Sequence, residues 1–99
     1  MPNYYNTWDI EELHDTLRAI PTLHSLLPEI AYVETFVDCV NRSSDGWASW
    51  ATAWRAGSAL LTLIEEATRT NVLPPPAKIT AARSRIKAVV TRHHLTMKV

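Results

Sequence analysis

Four histidines, His14, His24, His93 and His94, accompany a single cysteine, Cys39, and one adjacent carboxylate pair, Glu65 and Glu66. A zinc or similar site draws its ligands from His and Cys repeated at short fixed spacing, such as i and i+4 on one helix face. No such repeat exists here. Adjacent His93 and His94 diverge by about 100° on a helix and cannot close on one ion without unwinding it. Glu65 and Glu66 diverge by the same angle, which is wrong for two carboxylates sharing a proton. Cys39 has no activating residue adjacent to it in sequence, so it reads as a small buried hydrophobe rather than a nucleophile. With two glycines in the chain there is no glycine-rich phosphate loop. The expectation is a protein without catalytic residues, metal, cofactor or small-molecule substrate, hence no enzyme.

Charge carries the stronger signal. Lys78, Arg83, Arg85, Lys87 and Arg92 follow one another with no acid between them. Five cations on one helix can track a phosphate backbone, and the small residues Ala81, Ser84, Ala88 and Thr91 permit close approach. The same cations would also serve an acidic protein partner, a second copy of this chain, or internal pairing with Asp9, Glu11, Glu12 and Asp15. The formal net charge of zero conceals a division: residues 1–66 hold ten acids and three bases, −7, and residues 67–99 hold seven bases and no acid, +7. No helix-turn-helix signature is visible, so base-specific reading of DNA is not expected.

Trp47, Trp50 and Trp54 form the third set, spaced i, i+3 and i+7. Each can bury ~150–250 Å², which suits a core. Tryptophan is also enriched where proteins bind one another, which makes these three the candidate protein interface. A base-stacking platform is disfavoured, because such sites interleave aromatic residues with Lys and Arg and only Arg55 is basic nearby.

The elements that must position these residues are helices separated by prolines. Few glycines, six prolines and abundant Ala, Leu and Thr argue against a turn-rich β chain. The periodicity predicts an all-α, four-helix, bundle-like fold with helices at about 7–20, 28–42, 46–70 and 76–93. The chain is expected to be a single domain over 1–99, with an extended arm at 1–6 and a frayed tail at 94–99. The first helix shows a narrow stripe, Ile10, Leu13, Leu17 and Ile20, as an outer helix does, and Pro21 ends it. Thr22 to Leu27 reads as a connector compatible with one helical turn, and Pro28 fits a first turn of the second helix. There Ile30, Tyr32, Val33, Phe36, Val37, Cys39 and Val40 cover about half the circumference. Asn41 to Gly46 is a loop in which Ser44 or Asp45 caps the third helix.

That third helix is the organising one. Two adjacent stripes, Trp47, Trp50, Trp54, Leu61 and Ile64 beside Ala53, Ala56, Leu60, Leu63 and Ala67, cover about half of it and require neighbours on two sides. Arg55, Ser58, Thr62, Glu66 and Arg69 are left to water. Gly57, interior to the helix, points to a close helix crossing or a slight bend. Asn71 to Pro76 is a stiff connector, after which Ile79, Ala82, Ile86, Val89 and Val90 form the inner stripe of the fourth helix.

In size, helical content and possession of one basic helix, Lys78 to Arg92, the chain resembles the small helical subunits of CRISPR effector complexes and also phage-encoded inhibitors, with no motif that identifies a family. The leading expectation, from the residues themselves, is a non-enzymatic accessory subunit of a macromolecular, nucleoprotein complex, docking through apolar and tryptophan-edge surface with Lys78, Arg83, Arg85, Lys87 and Arg92 contacting nucleic-acid backbone. The alternative is a protein-only helical adapter or inhibitor, acting as a homodimer in which an acidic first helix faces a basic fourth helix. With a lone cysteine, no signal-peptide pattern and no apolar run of membrane-spanning length, a cytoplasmic protein that does not enter a membrane is expected.

Overall fold

Proline sets the joints of this chain. The structure, a computed structural model, describes residues 10–42, 50–95 and 97, and for residues 50–54 the backbone alone. Among these residues four α-helices are present, α1 (Ile10–Arg18), α2 (Leu27–Asn41), α3 (Trp50–Thr70) and α4 (Pro76–Arg92), with a 3-10 helix at Pro21–Leu26. No strand occurs among the described residues. The fold is the all-α, bundle-like one expected from the periodicity.

The boundaries follow from backbone chemistry. α1 ends at Arg18 rather than near Ile20, because Pro21 pushes the preceding residue out of the helical region: Ile20 has φ −118° and ψ 94°. Pro28 occupies the first turn of α2 and Pro76 that of α4, where the missing amide costs nothing. The arm at 1–6 and the Ser44 or Asp45 cap of α3 fall outside the described residues. The connector between α1 and α2 is more structured than the sequence suggested. At about three residues per turn, its Leu23 and Leu26 share one side, and both are fully buried.

α3 and α4 end in a way that the sequence did not announce. Asn71 takes a left-handed φ of 60°, and its amide donates to the Ala67 carbonyl at 2.7 Å, closing the last turn of α3. His94, at φ 54°, does the same for α4. The His94 amide donates to Thr91 and the Leu95 amide to Val90, at 3.3 and 3.0 Å, the paired bonds of a Schellman motif. Leu95 and Met97 then rest partly buried on the core. The tail expected to fray is therefore held at those two positions.

The core is Leu17 from α1, Leu23 and Leu26 from the 3-10 helix, Ile30, Val33, Phe36 and Val40 from α2, Leu60, Leu61 and Ile64 from α3, and Ala82 and Ile86 from α4. α3 packs against both α2 and α4, while α1 leans on α2 and the 3-10 helix. The wide apolar arc of α3 thus has the two neighbours it requires. On the α2 side the crossing is close: a Cβ built on Gly57 would meet Val33 Cγ1 at 3.5 Å. On the opposite side Arg55, Thr62, Glu66 and Arg69 are exposed and Ser58 is half-buried. Cys39 is half-buried rather than buried, because it lies at the edge of the apolar arc of α2, next to Val40 but one turn off Phe36.

One long-range hydrogen bond fastens the 3-10 helix to the α3–α4 turn: Thr22 Oγ1 donates to Asn71 Oδ1 at 2.9 Å. Among the described residues no helix is long and apolar enough to cross a membrane.

Candidate nucleic-acid interface

α4 carries its five cations on two flanks of a helix whose buried face is Ala82 and Ile86. Residues seven apart drift by only about 20° around a helix, and advance about 10.5 Å along it. Lys78, Arg85 and Arg92 therefore form a single row. All three are exposed, and among the described residues none has an ion-pair or hydrogen-bond partner. Lys87 is equally exposed and unpaired, but two residues from Arg85 turn the helix about 200°, which puts it on the other flank.

Arg83 does different work. Its Nε donates to Glu29 Oε1 of α2 at 2.5 Å, and its guanidinium carbon stands 4.2 Å from the centre of the Tyr32 ring. Glu29 and Tyr32 are one helical turn apart and meet the cation together. Tyr32 is buried, and the side chains of Arg83 and Glu29 are 31% and 16% exposed. Arg83 thus clasps α4 to α2, and the set of five expected to meet a backbone reduces to a row of three with Lys87 apart. Internal pairing does exist for Arg83, and its acid is Glu29 of α2. Glu29 and Tyr32 were missed because their partner lies 54 residues away from Glu29, whereas sequence spacing reports only contacts within an element.

The small residues foreseen on α4 are where close approach would need them. Ala81, Ser84, Ala88 and Thr91 are exposed, with the Ser84 hydroxyl donating to the Thr80 carbonyl at 3.0 Å. Of the candidate protein interface, Trp47 lies outside the described residues, and Trp50 and Trp54 belong to α3 by backbone alone.

Surface depressions lie beside α4 and, apart from it, beside α1. A hollow of ≈ 160 Å³ at the α3–α4 turn is lined by Leu63, Ala67, Val72, Leu73, Glu66 and Lys78 among others. Val72 and Leu73 at its mouth are 65% and 46% exposed. A more open groove of ≈ 230 Å³ runs between α1 and α2, lined by Ile10, Glu11, Glu34, Val37, Asp38 and Asn41. Asp38 is held by Arg42 one turn on, both well exposed. The histidines are dispersed. His24 Nε2 donates to the Arg18 carbonyl at 2.8 Å, and His14 is half-buried on α1. Among the described residues no three of His, Cys, Asp and Glu converge as a metal site would need.

No family of known proteins, no curated protein and no solved structure matches this chain significantly.

Proposed function

We propose that the protein is a non-enzymatic helical accessory subunit that lays the Lys78–Arg85–Arg92 row of α4 against the phosphate backbone of a nucleic acid, without reading bases. The observation that carries this reading is the row itself: three exposed cations on one flank, without an ion-pair partner among the described residues, on a helix with no acid. Unpaired cations in a line release counterions when they meet a polyanion, which drives binding irrespective of sequence. Ala81 and Ala88 beside the row let the helix come close.

Three neutralised phosphates correspond to a log–log salt slope of about −2 to −3, or a loss of about 40-fold in affinity for duplex between 50 and 200 mM salt. Fluorescence anisotropy with an arbitrary oligonucleotide measures this directly. Arg85→Glu with Arg92→Glu removes the binding while the helical circular dichroism is kept. Arg83→Ala leaves the slope unchanged, because that side chain faces Glu29. Binding that is absent at low salt, or that shows no slope, refutes the reading.

A further inference from the structure

We infer that the α1–α2 groove of one copy receives the cationic flank of α4 from a second copy of this chain. The two surfaces are complementary in charge and in relief. The groove has an apolar floor, Ile10 and Val37, both half-buried against the core, and an acidic rim of Glu11, Glu34 and Asp38. Among the described residues Glu11 and Glu34 have no ion-pair partner. Glu34 and Asp38 stand one turn apart on α2, so their charges repel, and only the exposed Arg42 relieves them. The flank of α4 answers each property. Lys78, Arg85 and Arg92 supply three unpaired cations, and exposed Ala81 and Ala88, at i−4 and i+3 from Arg85, present a flat apolar strip between them. Cations alone would fit any polyanion, whereas alanines between cations fit a floor of Ile and Val. The whole-chain division into −7 and +7 segments has the same consequence, since each copy carries both halves of the contact and the Arg83–Glu29 pair joins only one charge of each segment.

The contact is heterologous, one surface against a different one, so each copy that docks leaves a groove and a row open for the next. It covers the row that the proposed function uses, so a second copy and a nucleic acid compete for α4. The contact does not depend on nucleic acid being a ligand.

Analytical ultracentrifugation of the full chain tests it. At low salt the average mass should rise above the 11.2 kDa monomer as concentration increases. In about 1 M salt, where charges are screened beyond about 3 Å, it should return to the monomer. Glu11→Lys with Glu34→Lys, and Arg85→Glu with Arg92→Glu, should each be monomeric alone. Mixed in equal amounts they should associate, since each carries the complement of the other. The milder Glu11→Gln with Glu34→Gln, checked for native helicity, should weaken association in the same direction. A wild-type chain that stays monomeric at low salt and millimolar concentration overturns the inference, as does a mixture of the reversed variants that fails to associate. An oligonucleotide added to the wild type should dissolve the assembly. The groove variants should still bind that oligonucleotide, so loss of self-association and loss of nucleic-acid binding are read separately.

Discussion

Removing the Arg83 side chain tests the account of α4 most directly. Its Nε lies 2.5 Å from Glu29 Oε1, with the two side chains 31% and 16% exposed. An ion pair in full solvent is worth roughly 0–1 kcal/mol, while breaking a fully buried one costs roughly 3–5. At this intermediate exposure, loss of the charge-assisted bond should cost about 1.5–2 kcal/mol after allowance for screening. The guanidinium over the Tyr32 ring, at 4.2 Å, adds about 0.5–1 kcal/mol. Arg83→Ala should therefore destabilise the domain by about 2–3 kcal/mol, which lowers Tm by about 10–20 °C in a domain of this size. Arg85→Ala is the control. That cation is exposed and has no ion pair among the described residues, and its loss should stay within about 0.5 kcal/mol of the wild type. Urea denaturation of Arg83→Ala, Glu29→Gln and the double variant gives the coupling free energy, expected at about 1–2 kcal/mol. A coupling indistinguishable from zero, or Arg83→Ala no worse than Arg85→Ala, would refute the clasp and return Arg83 to the set of cations available to a partner.

Two further substitutions probe the backbone. Gly57→Ala places a methyl group at an ordinary contact distance, 3.5 Å from Val33 Cγ1, so the gain in helix propensity should prevail. Thermal melting should show a stabilisation of about 0.5–1 kcal/mol, and a lowered Tm would mean that α2 and α3 cannot tolerate even a methyl group there. His94→Gly relieves a left-handed residue at the end of α4, and denaturant titration should register about 1 kcal/mol of added stability. A loss would show that the imidazole itself holds the terminus.

The helices were legible because their determinants are local. Pro21, Pro28 and Pro76 fix φ wherever they stand, and the width of the arc from Ala56 to Ala67 reports two neighbours without naming them. The terminal residues were not legible for a related reason. Asn71 and His94 take a conformation for which glycine is the usual signal, and neither residue announces it. Leu23 and Leu26 fit an α-helical and a 3-10 turn equally, since three residues bring them to one side in both. The site divided in the same way. That Lys78, Arg85 and Arg92 share a flank follows from a spacing of seven. That Arg83 does not belong with them depends on Glu29 and Tyr32, which periodicity within α4 cannot reveal. The acid that meets Arg83 stands in the first turn of α2, an element whose proximity to α4 no local spacing encodes.

The order in which the elements touch also bears on how the chain reaches this state. α1 meets the 3-10 helix, the 3-10 helix meets α2, α2 meets α3 and α3 meets α4, so most packing joins segments that are consecutive along the polypeptide. Such a topology demands little loop closure before the first favourable contacts form, and it belongs to the class that collapses on a microsecond to millisecond scale. The two distant bonds, Thr22 to Asn71 and Arg83 to Glu29, span 49 and 54 residues. They close over a scaffold already assembled by neighbours, so their contribution lies in slowing the escape from the folded state rather than in hastening its formation.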